Sequence, residues 1–178
     1  MIPIIVNTDR LEVRELQPSD ENCFSELLSA PEIIKPIPQP QWPIEDILKK
    51  FESSINYSPS PELCNQVIWG VYETDKAELI GLCALLTNDR NQREIGYRFR
   101  SIYWGQGYGT EITKGMIHFC FSKLGIPMLT AELNIENLPS VKILEKFFRA
   151  TREFYNEKDG CTDRRYELRK SDWSCSTT

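Results

Sequence analysis

The stretch that decides the fold reads Tyr103-Trp104-Gly105-Gln106-Gly107-Tyr108-Gly109-Thr110-Glu111. It lies between a strand-like run, Glu94 to Arg100, and a helix-like run, Thr110 to Leu124. Glycines allow positive φ values and let the backbone approach a ligand without an intervening Cβ. The first turn of a helix adds unpaired N–H donors and a partial positive charge. The pattern therefore predicts a backbone site for an anion such as a phosphate.

The spacing of the glycines argues against two common phosphate sites. A nucleotide-hydrolysing P-loop needs Gly-Lys-Ser/Thr, whereas Gly109 is followed by Thr110 and Glu111. A dinucleotide fingerprint needs a third glycine where Thr110 stands, and it follows a first strand, whereas this turn lies deep in the chain. A tight strand-to-helix connection without any ligand stays open as an alternative.

The first third of the chain predicts a strand followed by two helices. Residues Arg10 to Leu16 alternate as an opening strand, and Pro18-Ser19-Asp20 offers the start of a helix through about Leu28. Five prolines between residues 31 and 43 predict a stiff loop without a regular helix, and a short helix should then continue through about Ser53.

The middle of the chain predicts two neighbouring strands. After a Pro/Ser/Asn segment, Asn56 to Glu62, the runs Val67 to Tyr72 and Leu79 to Leu86 are joined by a polar turn. A second polar turn then leads to the strand that begins at Glu94. We expect the two runs to pair as antiparallel strands.

The end of the chain predicts one more strand, a helix and a hairpin. Met128 to Leu133 alternates as a strand, and a helix is expected over Val141 to Phe148. Two last runs, Arg149 to Tyr155 and Arg164 to Leu168, flank the turn signal Asp159-Gly160 and predict a closing hairpin. Strands interrupted by a few helices indicate an α+β sheet domain over residues 1–173, with a frayed tail at 174–178.

Composition narrows the class of protein. A chain of 178 residues suits one domain, and no apolar run approaches the roughly 20 residues that cross a bilayer. Without a basic, cleavable start, the chain is expected to be soluble and cytoplasmic. A net charge of -5 argues against nucleic acid as the principal partner and weakly favours a cationic or amine-bearing substrate.

Histidine and cysteine usage argues against metal chemistry. The chain has one histidine, His118, and six cysteines without a Cys-x-x-Cys pair. Zinc catalysis and a Ser-His or Cys-His relay therefore have few residues to use, and no metal site is predicted. We expect His118 on the solvated face of its helix and the cysteines as thiols.

At this point the chain resembles the GNAT superfamily of N-acetyltransferases, and within it the Rim-type branch of ribosomal-protein alanine N-acetyltransferases. The resemblance rests on Thr8 to Leu16, Glu94-Ile95-Gly96-Tyr97, the loop Trp104 to Glu111, and Asn137 to Lys146, in this order and covering nearly the whole chain. Trp104 stands where the superfamily usually has Gln or Arg, and this looks like the Rim-type branch. Phe147-Phe148-Arg149 replaces a glycine that the branch tends to carry.

The resemblance implies a fold and a coenzyme site. It implies a central mixed, mostly antiparallel twisted sheet with helices on both faces, in which the Glu94 and Met128 strands splay apart in a V. Acetyl-CoA would lie in the gap, with its diphosphate on the loop amides. The implied coenzyme-binding residues are Phe99, Arg100, Ser101, Trp104, Gly105, Gln106, Gly107, Tyr108, Gly109, Thr110 and Asn137.

The resemblance also implies roles in acetyl transfer. Ser140 would protonate the departing thiolate, Glu94 would accept the amine proton directly or through water, and a strand N–H near Arg100 would stabilise the oxyanion. Asn137 and Ser140 also suit a helix start, with either one as the cap, and Glu94 is equally suited to be a solvated strand-end carboxylate. Tyr97 and Trp104 fit core packing better than a role in the cleft.

The acceptor is an open question at the level of sequence. A protein N-terminus, a polyamine, an aminoglycoside or another small amine would each suit the resemblance, and the first helices with the proline-rich segment are expected to select among them. A catalytically silent acyl-CoA-binding module is the alternative function. The oligomeric state is expected to be monomer or homodimer, and no nucleic acid or membrane partner is predicted.

Overall fold

The computed structural model describes residues 2–37, 39, 41–55 and 64–174. One eight-stranded sheet has the strand order β1-β2-β3-β4-β5-β6-β8-β7. The strands are β1 Ile4–Asn7, β2 Leu11–Arg14, β3 Gln66–Glu73, β4 Leu79–Thr87, β5 Arg93–Phe99, β6 Met128–Asn134, β7 Arg149–Asn156 and β8 Cys161–Arg169. The helices are α1 Glu21–Ser29, α2 Pro31–Ile34, α3 Ile44–Ile55, α4 Tyr108–Ser122, α5 Leu138–Leu144 and α6 Lys170–Ser174.

Neighbouring strands of the sheet are antiparallel with one exception. Strands β5 and β6 run parallel and pair through only two positions, Arg93 with Leu129 and Glu94 with Thr130. Beyond Glu94 the two strands have no further paired residues. The expected α+β fold with a V-shaped splay between two central strands is therefore confirmed.

Helices cover both faces of the sheet because side chains alternate along each strand. Val71 and Cys83 point to a core shared with α4, which contributes Ile112 and Met116. The adjacent Tyr72 and Leu82, with α1 and α3, form a second core on the other face.

Gly70 makes room for a side chain that ties α1 to the sheet. A Cβ at Gly70 would lie 2.5 Å from the Tyr72 hydroxyl oxygen, so only glycine lets the Tyr72 ring lie across β3. That hydroxyl donates a 2.5 Å hydrogen bond to Asp20, just before α1. The guanidinium of Arg14 stacks on the same ring at 4.0 Å from its centroid. The start of α1 is therefore fixed to the face of the sheet that it covers.

Several predicted elements differ from those observed. The strand β1 was not predicted, because its seven-residue neighbourhood has no clear alternation. The proline-rich segment was expected to lack a regular helix, which is wrong at its start, where Pro31 begins the short helix α2. Proline is accommodated there because the first helical position needs no N–H donor. The segment Asn56 to Glu62 lies outside the described residues.

The C-terminal part also shows two differences. The helix expected over Val141 to Phe148 instead spans Leu138 to Leu144, starting at a capping asparagine. The closing hairpin forms as predicted, but β8 rather than β7 pairs with β6. Ser174, expected in the frayed tail, is the last residue of α6.

Three expectations from composition can be compared with the structure. His118 is exposed on α4, as predicted. Cys23, Cys83, Cys120 and Cys161 form no disulfide, and burial raises the pKa of the Cys120 thiol to about 12. No helix within the described ranges has the length and apolar character that a membrane span requires, and these ranges contain no cluster of His, Cys, Asp and Glu suited to a metal ion.

Candidate active site

The gap between β5 and β6 opens into a cavity of about 390 Å³. The neighbouring residues Tyr97 and Arg98 both line it, although consecutive strand residues point to opposite faces of a sheet. This is possible because β6 has already separated from that edge of β5. The cavity therefore passes through the sheet and joins its two faces.

The glycine loop lies between β5 and α4. Gly105 and Gly107 have φ values of 73° and 81°, a conformation that L side chains rarely adopt. The helix begins at Tyr108, and its first internal hydrogen bond runs from the Glu111 N–H to the Gly107 carbonyl. In the part of the chain that the structure describes, no acceptor is found for the N–H groups of residues 105 to 110. Six consecutive amides are thus available to an anion.

Side chains from the start of the chain hold the loop in place. The guanidinium of Arg10 donates to the Gln106 carbonyl at 3.0 Å and forms an ion pair with Glu111 at 2.7 Å. Its guanidinium carbon also lies 4.6 Å from the centroid of the Tyr108 ring. Sequence reasoning assigned Arg10 no role at the site, although it belongs to a segment that carried the resemblance.

A second cation reaches the loop from the end of α5. The Lys146 ammonium donates to the Thr110 hydroxyl at 3.1 Å. Lys146 therefore places positive charge beside the helix N-terminus that carries the unpaired amides and adds to its attraction for an anion, whereas the charge of Arg10 is offset by Glu111. Lys146 also was not predicted as a site residue.

Gly109 is favoured by close packing, whereas Gly107 is required by backbone conformation. A Cβ at Gly109 would lie 2.8 Å from the Cδ1 of Ile143 and 3.3 Å from the Tyr97 hydroxyl oxygen. The first turn of α4 is consequently in direct contact with α5 and with the side chain of Tyr97. The loop and the cavity thus share a wall.

Two hydroxyl groups meet at this wall. The Tyr97 hydroxyl is buried and makes no hydrogen bond of good geometry with the described residues. Burial raises its pKa, and the nearby Ser140 hydroxyl acts in the opposite direction. Both residues line the cavity. Tyr97 was interpreted as core packing from sequence, yet its polar end faces the cavity wall.

The cap of α5 is Asn137 rather than Ser140. The Asn137 side chain accepts a 3.4 Å hydrogen bond from the Ser140 N–H, and Ser140 is the third residue of the helix. The Ser140 hydroxyl therefore has no capping role. The sequence left two functions open for Ser140, and one of them, capping the helix, belongs to Asn137.

Successive backbone N–H groups of β5 point alternately toward β4 and toward the gap. The Arg100 N–H donates to the Ile80 carbonyl on the β4 side at 3.0 Å. Because antiparallel pairs alternate, Tyr97 and Phe99 direct their N–H groups toward the gap. An oxyanion donor was expected near Arg100, and the Arg100 amide itself is already committed. Tyr97 and Phe99 are the strand residues whose amides face the gap.

The remaining predicted residues near the end of β5 have side chains bonded within the protein. The Trp104 indole donates to the Phe99 carbonyl at 2.9 Å, while 48% of Trp104 stays exposed. The Arg100 side chain forms ion pairs with Glu26 and Glu78. Ser101 donates to Glu32 at 3.2 Å. These side chains fasten the loop to the α1–α2 region.

Glu94 lies at the apex of the V, where β5 and β6 make their last pair. Burial, followed by the charge of Glu132, raises the pKa of Glu94 from its ordinary value of 4.5 to about 7. Its carboxylate accepts a 3.3 Å hydrogen bond from the Asn88 amide. Glu94 is thus not a solvated strand-end carboxylate. Glu132 lines the cavity and Glu94 does not, so Glu94 can exchange a proton with a bound molecule only through a relay.

A buried ion pair supports the other side of the gap. Arg165 on β8 is 3% exposed and donates from Nε to Glu132 Oε1 at 2.6 Å. Neighbouring Asp163 accepts from the Asn156 amide at 2.7 Å. The acidic residues of the β6–β8 wall therefore already have partners inside the protein.

Sequence reasoning missed most of the residues on the α1–α3 side of the cavity. They share no motif and come from separated segments, so only the fold brings them together. They are Leu28, Ile37, Gln39, Trp42, Lys50, Gln66, Ile68, Leu82 and Arg98. The expectation that the first helices and the proline-rich segment border this side agrees with their place in the cavity wall.

Comparison with known proteins identifies the family. A family model for the acetyltransferase (GNAT) domain matches residues 10–147. The chain is 27% identical over 139 residues to the uncharacterized N-acetyltransferase p20 of Bacillus licheniformis, covering 77% of each chain. This chain belongs to the GNAT acetyltransferase family and is an acyltransferase.

Solved structures share the fold at low sequence identity. The spermidine N-acetyltransferase of Vibrio cholerae, in complex with CoA and spermine, superposes with a TM-score of 0.76 at 17% identity, covering 92% of this chain and 98% of that one. RimL, a ribosomal L7/L12 α-N-protein acetyltransferase in complex with coenzyme A, gives a TM-score of 0.76 at 15% identity, with coverages of 96% and 99%. These similarities establish the fold and leave the acceptor undefined.

The raised pKa of Glu94 predicts how stability depends on pH. The folded chain binds the proton of the Glu94 carboxyl more tightly than the unfolded chain does. This proton binding therefore stabilises the fold to its full extent below about pH 4.5, and the stabilisation is lost as pH rises to about 7. The free energy of unfolding of Glu94→Gln, measured relative to that of the wild type, should therefore be higher at pH 8 than at pH 4.5 by on the order of 2 kcal/mol.

Urea denaturation of both proteins between pH 4.5 and 8 measures the difference. Glu136→Gln, at an exposed position, serves as the control and should run parallel to the wild type. Parallel curves for Glu94→Gln would show that the Glu94 carboxylate is not penalised by burial.

Proposed function

We propose that this protein transfers the acetyl group of acetyl-CoA to a primary amine by direct attack, without an acyl-enzyme intermediate. The single observation that carries the proposal is the run of six amides, residues 105 to 110, that have no acceptor among the described residues and lie at one end of the split sheet. A diphosphate is the anion whose size suits such a run at a helix N-terminus.

The coenzyme would extend from the loop along the edge of β5. Its diphosphate would accept from the loop amides beside Arg10 and Lys146. Its pantetheine arm would pair with the N–H and C=O groups of Tyr97 and with the N–H of Phe99, whose carbonyl already accepts from Trp104. Two neighbours with this fold, the Vibrio cholerae spermidine acetyltransferase and RimL, are complexes with coenzyme A. Asn137 would contact the pantetheine arm, because it lines the gap near Ser140.

Replacing Gly107 by glutamate tests the coenzyme site. The added carboxylate would occupy the space expected for phosphate, and a non-glycine residue is strained at φ 81°. We expect Gly107→Glu to weaken acetyl-CoA binding at least about 100-fold in calorimetric titration while the protein stays folded.

Gly125→Glu is the matched control. Gly125 has a φ of 66°, and a Cβ added there would meet no atom within 4 Å, so the backbone strain is similar. It follows the far end of α4, about 20 Å from the loop along the helix axis. Unchanged acetyl-CoA affinity in Gly107→Glu, or equal loss in both variants, would refute the loop as the diphosphate site.

The proposed chemistry moves two protons. The lone pair of the neutral amine attacks the thioester carbonyl carbon and forms a tetrahedral oxyanion, which an amide N–H of β5 facing the gap would stabilise. The C–S bond then breaks, the thiolate takes a proton from Ser140, and the amine nitrogen loses a proton through water to Glu94. At the end of the reaction Ser140 is deprotonated and Glu94 is protonated, so Ser140 regains a proton from solvent and Glu94 releases one to it.

The role of Ser140 can be separated from helix stability because Asn137 makes the cap. We expect Ser140→Ala to lower kcat by about 100-fold or more, with the KM for acetyl-CoA nearly unchanged. Its melting temperature should stay close to that of the wild type, since no capping bond is lost. Ser140→Thr keeps a hydroxyl and should recover most of the activity. Equal kcat in Ser140→Ala and the wild type would exclude Ser140 as the acid.

The role of Glu94 predicts a specific pH profile. With a pKa of about 7, the wild-type rate should rise with pH up to about 7 as Glu94 loses its proton. In Glu94→Gln the rate at neutral pH should fall, and this acidic limb should disappear. A profile of kcat/KM for the variant that keeps the same limb would assign it to another group.

Placement in the Rim-type branch is part of the proposal. It is supported by Trp104 before the glycine loop and by a fold shared with RimL. Turnover of acetyl-CoA with any amine distinguishes an enzyme from the alternative, a silent acyl-CoA-binding module. The acceptor follows from other residues of the cavity.

A further inference from the structure

Two cations line the cavity on its α1–α3 side, away from the glycine loop. Arg98 on β5 donates from Nη1 to the Leu27 carbonyl and to the Gln39 side-chain oxygen, both at 3.1 Å. The Lys50 ammonium lies 4.8 Å from the centroid of the Trp42 ring. Over residues 2–37, 39, 41–55 and 64–174, no carboxylate forms an ion pair with either cation.

This arrangement differs from that of four other partly or fully buried arginines. Arg14, Arg100, Arg164 and Arg165 each form an ion pair with a carboxylate. Burial without a counter-ion is unfavourable for a charged side chain. It lowers the pKa of Arg98 to about 10, and burial together with the charge of Arg98 lowers the pKa of Lys50.

The acidic residues in the described lining of the cavity, Glu132, Asp159 and Asp163, form no ion pair with Arg98 or Lys50. Glu132 is paired with Arg165, and Asp163 accepts from Asn156. Asp159 also accepts from the Asn156 amide, at 2.9 Å. On the α1–α3 wall the charged residues of the described lining, Arg98 and Lys50, are both cations, and a bound anion would offset their charge.

We propose that the amine acceptor also carries a free carboxylate, and that Arg98 and Lys50 bind this carboxylate. The substrate class is a free amino acid rather than a polyamine, whose second charge would be repelled. This inference rests on the acetyl transfer proposed above, since it names the acceptor of the same cavity.

A free amino acid suits the position of the two cations better than a protein N-terminus. In a protein the group next to the terminal amine is a neutral amide, and the cations would gain no counter-ion from it. Arg98 and Lys50 line the cavity whereas none of residues 105–110 does, so phosphates bound at the loop amides would not occupy the site of the cation pair. Arg98 lines the same cavity as Ser140 and as Tyr97, whose hydroxyl lies near Ser140, so a carboxylate bound at Arg98 shares this cavity with the reaction site.

Arg98 could also have a purely structural role, and the experiment must distinguish this role from carboxylate binding. Its bond to Leu27 lies in the last turn of α1, where a cation interacts favourably with the helix dipole. Loss of this contact would reduce activity toward every acceptor equally. Loss of a carboxylate site would instead change the preference between acceptors that differ only in that group.

The test compares free amino acids with their C-terminal amides. Acetyl-CoA turnover is measured with L-leucine, L-phenylalanine, L-methionine and L-glutamate, with the amide of each, with spermidine, and with a pentapeptide that has a free N-terminus and an amidated C-terminus. We expect at least one free amino acid to exceed its amide by 10-fold or more in kcat/KM. Spermidine and the peptide should be poorer than that amino acid.

Two variants then assign the preference to residues. Lys50→Met keeps the contact with Trp42 without the charge, and Arg98→Gln keeps a donor for Leu27. Each should reduce the acid-to-amide ratio toward one, mainly by raising KM for the acid. Lys49→Met, at an exposed neighbouring position, should leave the ratio unchanged.

The outcomes separate this proposal from the one it rests on. Faster turnover of amides, spermidine or the peptide, or no turnover of any free amino acid, overturns the carboxylate site. An unchanged acid-to-amide ratio in both variants overturns it as well. Calorimetric titration with acetyl-CoA is run on the same proteins, and its failure would instead contradict the coenzyme site.

Discussion

The separation of β5 from β6 after two paired residues is the constraint on which the rest of this molecule depends. Any sheet edge exposes N–H and C=O groups that need partners, and such an edge inside a domain is costly when left empty. Here the edge adjoins a cavity rather than another strand. The backbone of β5 is thereby available to a ligand, and side chains from both faces of the sheet meet in one space.

The two ends of β5 have different chemical roles because only one of them is paired with β6. At the paired end, Glu94 is enclosed between two strands and close to Glu132, and this raises its pKa. At the open end, the chain turns through two glycines with positive φ values into α4. A proton acceptor and an anion site therefore lie at opposite ends of β5, which rises about 17 Å from Glu94 to Phe99 at about 3.3 Å for each residue. A long, phosphate-bearing donor is the kind of molecule that spans such a distance.

The sequence predicted the features that local physics determines. Glycine spacing located the loop, and alternation located β3 to β6. An asparagine–serine segment indicated that a helix follows, although α5 begins at Leu138 rather than at Val141. The splay itself came from a family resemblance, since no residue in β5 or β6 encodes it locally. Ser140 and Asn137 shared a capping signal, and only the three-dimensional structure assigns the cap to Asn137.

The acceptor side of the cavity was beyond sequence reasoning for a different reason. Lys50 lies on an amphipathic helix and Arg98 on an alternating strand, and both patterns are typical of solvated charges. What distinguishes these residues is the absence of a carboxylate partner among the described residues, a property of three-dimensional neighbours rather than of local sequence.

Local charge therefore outweighs net charge in the choice of substrate. A net charge of -5 favoured a cationic acceptor when the chain was considered as a whole. The surplus of acids is spread over exposed positions, where water and salt screen their fields within roughly 10 Å. Inside the cavity Glu132 forms an ion pair with Arg165, and Asp159 and Asp163 share the neutral amide of Asn156. The two cations of the α1–α3 wall have no carboxylate partner in the described part of the chain. A bound molecule experiences these near, poorly screened charges first, so an acceptor with a carboxylate is favoured by an otherwise acidic protein.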